Sequence, residues 1–261
     1  MIDGNDLAFT PYKDSRGNSG SSGQLSIGTA KTGKKYLVKS LPADVVTEFV
    51  AHRLATIIGV PTSDAVLIRN GKNVVVGIEY LEDFTRISMD DFLRTEEPED
   101  MMPIFMGGKT IVPKRLTEAK YPDDSPLLAD LLAYLSFRRM IVLEDNVQLA
   151  MSGGRLISFD YAESFYLTEQ TYGGMLYSND CSWPLHLFTN NLRIEGALSS
   201  DLEVLRWPVT KFLEDAYLAP AFAFLDADLQ PILTELAEAF PPIVPEFFRR
   251  CFDELERELT K

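Results

Sequence analysis

Two apolar runs, 64–69 and 73–79, flank the dipeptide Asn70-Gly71. A two-residue loop of that composition accepts the positive φ values of a tight hairpin turn, so the two runs must double back as an antiparallel pair. A second hairpin signal lies upstream, where 25–29 turns through Lys31-Thr32-Gly33-Lys34 into 35–39. Between the hairpins, Val45, Val46, Phe49, Val50, Leu54, Ile57 and Ile58 recur at helical spacing over 43–59, and the pattern stops at Gly59 with Pro61 just beyond. Short strands with one helix predict a small α+β lobe.

The pattern changes further along. Residues 96–126, punctuated by Pro98, Pro103, Gly107-Gly108, Pro113, Pro122 and Pro126, read as an irregular connection. A strongly apolar helical stretch covers 127–139, Glu144-Asp145-Asn146 interrupts, and strands 147–151 and 155–159 flank Ser152-Gly153-Gly154. Residues 161–190 are aromatic and irregular in pattern, Ser200 to Glu203 resembles a capping box opening a helix, and helices are expected near 227–239 and 244–259. The expected fold is α+β and bilobal, with a small β-rich N-lobe over 1–82 and a mostly helical C-lobe over 83–261.

Composition narrows the function classes. With 261 residues and 46% hydrophobic content, the chain has ample material for a packed core. A formal net charge of −14 repels phosphodiester backbones and anionic membranes, so neither nucleic acid nor membrane is an expected partner. No apolar run approaches a membrane span and the first residues lack a secretory pattern, which predicts a cytoplasmic protein. Cys181 and Cys251 have no ligand-like spacing and read as reduced thiols, and with only His52 and His186 beside them a structural zinc site is not expected. Trp183 and Trp207 read as core anchors, and His52 as packing at the edge of its helix without a catalytic role.

Three charged residues stand out by order and context. Lys39 ends a strand, Glu48 follows on the next helix beside its apolar face, and Asp160 ends a hydrophobic strand far downstream. Transfer of a phosphoryl group from a nucleotide triphosphate needs a cation on the phosphates, an anion to hold that cation, and a carboxylate to carry magnesium. Lys39, Glu48 and Asp160 can fill these roles in that order. Upstream, Ser19, Gly20, Ser21, Ser22 and Gly23 belong to a segment rich in Gly and Ser. Composition suits a flexible linker, while position suits a phosphate loop whose glycines let backbone amides approach an anion. Glu79-Tyr80-Leu81-Glu82 would form a hinge whose backbone groups, at Glu79 and Leu81, meet an adenine edge.

Two stretches, KKYLVKSLPADVVTEFVAHRLATIIGVPTSDAVLI (34–68) and RMIVLEDNVQLAMSGGRLISFDYAESF (139–165), make the chain resemble the HipA-like kinases. That family shares the fold of protein and phosphatidylinositol kinases. The resemblance implies ATP and Mg2+ as cofactors, with Lys39 on the phosphates, Glu48 orienting it and Asp160 on magnesium. It also implies a protein substrate phosphorylated on serine or threonine, self-phosphorylation at Ser19, Ser21 or Ser22, and a possible antitoxin-like protein partner.

The catalytic loop departs from the family pattern. An aspartate acting on the attacking hydroxyl is expected five positions before a metal-binding asparagine. Here Asp145 precedes Gln148 by only three. Either the loop is shortened, with Asp145 as base and Gln148 or Asn146 on the metal, or the chain is a pseudokinase that binds nucleotide as a regulatory module. A small-molecule phosphotransferase is a third reading, although such enzymes usually keep a loop histidine and none occurs between 53 and 185.

Overall fold

The structure is a computed structural model that describes residues 1–13, 25–94, 96–98, 104–106, 109–111, 114–116, 120–143, 147–194 and 196–261. Its first part is a six-stranded sheet. In chain order the strands are β1 (Ile2–Asp3), β2 (Leu7–Pro11), β3 (Ser26–Ala30), β4 (Lys35–Lys39), β5 (Ala65–Asn70) and β6 (Asn73–Glu79), with helix α1 (Pro42–Ile57) between β4 and β5. They lie in the order β1-β5-β6-β4-β3-β2. All neighbours are antiparallel except β1 and β5.

Both expected hairpins form, and Gly71 and Gly33 take the positive φ their turns require, at 63° and 86°. One face of the sheet sets Ala65, Leu67, Val76 and Ile78 in the main core with α1, while Leu7, Tyr36, Val38, Ile68 and Val75 form a smaller cluster of their own. Helix α1 closes where predicted: Val60 N–H reaches back to Ala55 C=O at 2.9 Å, and Gly59 adopts a φ of 78°. Its burial differs from the expected stripe, because Ala43, Val45 through His52, Leu54 and Ala55 are all buried. The sheet covers one side of this helix and the second part of the chain covers the other.

After β7 (Thr85–Ile87) come β8 (Glu96–Pro98), β9 (Ile104–Met106), β10 (Lys109–Ile111) and β11 (Lys114–Leu116). Antiparallel pairing joins β8 to β11 and β9 to β10, so the stretch expected to be irregular holds nested three-residue strands that proline and glycine cut too short to show a pattern. Then α2 (Pro126–Met140) leads to the hairpin β12 (Leu149–Ser152) and β13 (Arg155–Ser158), whose outer partner is β7. Helices α3 (Glu169–Ser178), α4 (Ser182–Asn191), α5 (Ala197–Leu205), α6 (Lys211–Leu225), α7 (Gln230–Ala239) and α8 (Ile243–Leu259) complete the chain.

Two further expectations need correction. The aromatic stretch 161–190 contains α3 and α4, and α3 opens with reciprocal capping between Thr168 and Thr171. Ser200 and Glu203 lie inside α5, which starts three residues before Ser200, after Gly196 at a φ of 70°. Burial of Ala197, Leu202 and Leu205 sets the extent of that helix. Trp207 is a core anchor, its Nε1 donating to Phe92 C=O at 2.7 Å, but Trp183 is half exposed at 49%. No helix among the described residues is long and apolar enough to cross a membrane.

The hairpin that ends near Asp160 is fastened to α2 by one carboxylate. Asp130, buried on α2, accepts two hydrogen bonds from Arg155 at 2.7 and 2.9 Å and one from Leu156 N–H at 3.1 Å. Replacing Asp130 by alanine leaves a buried backbone donor and a guanidinium without their acceptor, and should lower stability by about 2 kcal/mol in urea denaturation. A change under about 0.5 kcal/mol would show that the hairpin is held by its apolar contacts alone.

Candidate active site

Strand β4 alternates, with Tyr36 and Val38 buried in the smaller cluster and Leu37 and Lys39 on the opposite face. The chain then leaves the sheet through Ser40-Leu41 into α1, which brings Glu48 two turns along the helix to face Lys39. Lys39 Nζ donates to Glu48 Oε1 and, at 2.5 Å, to Asp160 Oδ1. The Glu48 side chain is fully buried and that of Lys39 is 12% exposed, while Asp160 is 37% exposed. One ammonium therefore joins three separate parts of the chain, and the most open member is the downstream carboxylate.

The second Glu48 oxygen faces His52 Nε2 at 3.3 Å, an i, i+4 contact on the same helix. His52 is itself buried, with Nδ1 at 2.8 Å from both Ser63 C=O and Thr62 Oγ1. Thr62 Oγ1 donates to Ser158 C=O at 3.1 Å, Ser158 N–H donates to Pro61 C=O at 3.2 Å, and Tyr161 OH reaches Thr62 Oγ1 and Ser158 Oγ. The Tyr161 ring meets His52 edge to face at 4.7 Å between centroids. His52 thus belongs to a buried polar chain running from the lysine to the strand that delivers Asp160. Its sequence signal was the i, i+4 spacing from Glu48, read only as edge packing.

Asp160 sits at the mouth of a strained turn. Its φ is 63°, and Glu163, Phe165 and Tyr166 also adopt left-handed backbone at 63°, 57° and 58°. Such conformations are uncommon for residues with a Cβ and persist where surroundings over-determine them. Here Phe165 N–H donates to Ile141 C=O at 2.6 Å, and its ring is buried against Phe248 at 5.1 Å.

The charges interact strongly. Burial acts to lower the Lys39 ammonium, but Glu48 and then Asp160 outweigh it and hold it above the ordinary lysine range. Burial would raise Glu48, yet Lys39 and His52 overcome that and hold it well below the usual carboxylate range. Asp160 is raised by burial, opposed by Lys39 and reinforced by Glu48. Asp44, in the first turn of α1, is pushed up to about 6 by burial, with Lys39 opposing and Glu48, Glu169 and Asp160 adding to the rise. Glu169 of α3 accepts from Ala43 N–H at 2.6 Å and so caps a helix whose own N-cap, Leu41, offers no side-chain oxygen. Neither Asp44 nor Glu169 was singled out from the sequence, because their proximity depends on how α3 folds back.

At the expected hinge, Glu79 N–H donates to Asp64 C=O at 2.8 Å and its carboxylate pairs with Lys34 at 3.1 Å. Leu81 has no backbone hydrogen bond among the described residues. Gln148 C=O accepts from Phe159 N–H at 3.4 Å, which sets its backbone opposite the residue preceding Asp160. Ser19, Gly20, Ser21, Ser22, Gly23 and Asp145, with its neighbour Asn146, lie outside the described residues. Among the described residues no cluster of three metal-ligating side chains exists, so a magnesium ion here would draw on Asp160 together with phosphate oxygens, a donor set that this ion accepts.

The structure is similar to that of a proinflammatory kinase of Helicobacter pylori, CtkA, with a TM-score of 0.62 and 14% identity over 98% of this chain and 95% of that one. A chain from the Shewanella oneidensis MR-1 toxin–antitoxin complex of HipA, HipB and operator DNA matches over 97% of this chain and 63% of its own, at 12% identity and a TM-score of 0.38. No protein-family model matches the sequence, and neither does any curated protein. The fold is therefore kinase-like on the strength of the first likeness, which spans nearly the whole chain.

Two stability measurements probe these charges. Lys39→Met leaves the Glu48 carboxylate buried without its ammonium and should cost about 3 kcal/mol, and adding Glu48→Gln should recover part of that loss. A double variant no more stable than Lys39→Met alone would mean that the pair is not coupled. Asp44 binds its proton more tightly folded than unfolded, so its ionisation disfavours the fold as pH rises from about 4 to about 6. Discounted for solvent screening, Asp44→Asn should be more stable than the parent by about 1 kcal/mol at pH 7.5 and equal to it near pH 4. A gap that does not change with pH would contradict that assignment.

Proposed function

We propose that the chain is an ATP- and Mg2+-dependent phosphotransferase, a serine/threonine protein kinase of HipA type. The observation that carries this reading is the single ammonium of Lys39 held between buried Glu48 and partly exposed Asp160. Held in this way, Lys39 presents a fixed positive charge to the α and β phosphates, and Glu48 keeps it in place. Asp160 offers the oxygen for magnesium, which offsets phosphate charge when bound. Entry of nucleotide would replace the Lys39 to Asp160 contact by contacts to phosphate, freeing the carboxylate for the ion. Leu81, with its unengaged backbone, offers hydrogen-bonding groups for the base edge.

Asp145 is proposed to accept the proton of the attacking hydroxyl, with Gln148 as the amide ligand of the metal. The substrate is a protein, and Ser19, Ser21 and Ser22 are proposed as sites of self-phosphorylation, where added dianionic phosphate would compete with nucleotide phosphates for Lys39. An antitoxin-like partner follows only from the sequence resemblance. The chain is proposed to work in the cytoplasm.

A nucleotide-binding pseudokinase is the second reading, and the three-residue interval between Asp145 and Gln148 favours it. Incubating the purified protein with magnesium and ATP, then recording its intact mass, separates the two. A phosphate adduct in the parent and none in Asp160→Asn is the expected result, with the label within residues 19–22. Absence of any adduct in a protein that binds ATP would overturn self-phosphorylation and favour the binding module, since loss of a catalytic base alone typically leaves measurable residual transfer.

A further inference from the structure

Segment 160–169 is closed against the start of α1 at both of its ends. At one end Asp160 accepts from Lys39 Nζ at 2.5 Å, and at the other Glu169 Oε1 accepts from Ala43 N–H at 2.6 Å. Only Ser40, Leu41 and Pro42 separate Lys39 from Ala43, and Glu169 is the first residue of α3. The second contact is one that α1 cannot replace from its own sequence. Leu41 stands at the N-cap without a side-chain oxygen, and Pro42 has no N–H. Ala43 is buried, so its amide is held from water and needs an acceptor from elsewhere in the chain.

Between those two ends the segment is strained and closely pinned. Asp160, Glu163, Phe165 and Tyr166 all take left-handed backbone, which residues with a Cβ keep only where their surroundings impose it. Hydrogen bonds hold each bend: Ser164 N–H to Tyr161 C=O at 3.2 Å, Phe165 N–H to Ile141 C=O at 2.6 Å, and Leu167 N–H to Ser164 C=O at 3.1 Å. Thr168 and Thr171 then cap α3 reciprocally, with Thr168 N–H reaching Thr171 Oγ1 at 2.8 Å, and that cap sets where Glu169 stands. A carboxylate at this place carries an electrostatic cost. Asp44, pushed up to about 6 chiefly by burial and with Lys39 opposing, is raised further by Glu48 and Glu169.

We propose that Glu169 is a positioning residue, one that couples the segment following Asp160 to α1 and keeps that carboxylate in register with Lys39. The inference rests on the proposed function in one respect: nucleotide phosphates displace Asp160 from Lys39, and the Glu169 contact then holds the two segments together while Asp160 carries magnesium. A segment pinned at every bend passes a displacement at Glu169 on to Asp160. An acceptor at position 169 is what the geometry requires, so Glu169→Gln keeps the coupling and Glu169→Ala loses it. Both changes are made at an exposed position and leave the core as it is.

Two measurements on the full chain test this. Hydrogen exchange without ligand, read by mass spectrometry, should be about fivefold faster in Glu169→Ala both at the start of α1 and over 161–167, the effect of losing one helix cap, with β5 and β6 unchanged. Glu169→Gln should exchange as the parent does. Affinity for a non-hydrolysable ATP analogue should fall about fivefold in Glu169→Ala with magnesium and stay within about twofold when a chelator removes it, because Asp160 serves only the ion. A general structural defect would weaken both alike. Faster exchange confined to the first turn of α1, a Glu169→Gln variant that behaves as Glu169→Ala, or an affinity that falls equally with and without magnesium, or not at all, would overturn the proposal. A parent that binds no nucleotide while exchange remains coupled would overturn the nucleotide reading and support the coupling.

Discussion

The buried contact between Lys39 and Glu48 is the constraint around which the rest is arranged. A fully desolvated carboxylate is tolerable only beside a fixed cation and further hydrogen bonds. Helix α1 therefore cannot shift by a turn or rotate without exposing that debt, and its burial on all sides holds it there. The sheet supplies the lysine, the helix supplies the glutamate, and the left-handed turn after β13 supplies Asp160. His52 sets its Nε2 3.3 Å from the second Glu48 oxygen, while its Nδ1 meets Ser63 C=O and Thr62 Oγ1, and Thr62 reaches the strand that leads to Asp160. Geometry at the site is thus set from both parts of the fold at once.

Much of the sheet was legible because its signals are local. Asn70-Gly71 and Gly33 fix turns by their own backbone preferences, and Gly59 with Pro61 ends α1 where the periodicity stops. The Lys39, Glu48 and Asp160 grouping was legible through order along the chain, and the structure brings those three side chains into contact. Other features were hidden because they depend on distant chain. The Thr168 to Thr171 cap was overlooked among aromatic residues, and the triplet strands between 96 and 116 are too short for periodicity to register. Glu169 reaches Ala43 across 126 positions of sequence, an encounter that no spacing rule foresees. His52 was read as a helix-edge residue because its partners Thr62 and Ser63 come from the loop after Gly59.

Electrostatics concentrate around Lys39. Carboxylates crowd around Lys39, where Asp44, Glu48, Asp160 and Glu169 gather, and burial lifts Asp44 and Asp160 against that lysine's pull. Under the proposed function these carboxylates would favour a dication over a bare anion, the balance expected where nucleotide arrives together with magnesium.

The central claim is that Lys39, Glu48 and Asp160 form a nucleotide site, and binding tests it before any question of transfer arises. The measurement is the affinity of the protein for a non-hydrolysable ATP analogue with magnesium, with the parent compared to Lys39→Met at a temperature where both are folded. The account predicts binding by the parent and a loss of at least about tenfold in the variant, as expected for removal of a charge-assisted phosphate contact. Equal affinity in the two proteins would contradict it and leave the three charges as a structural element of a kinase-like fold.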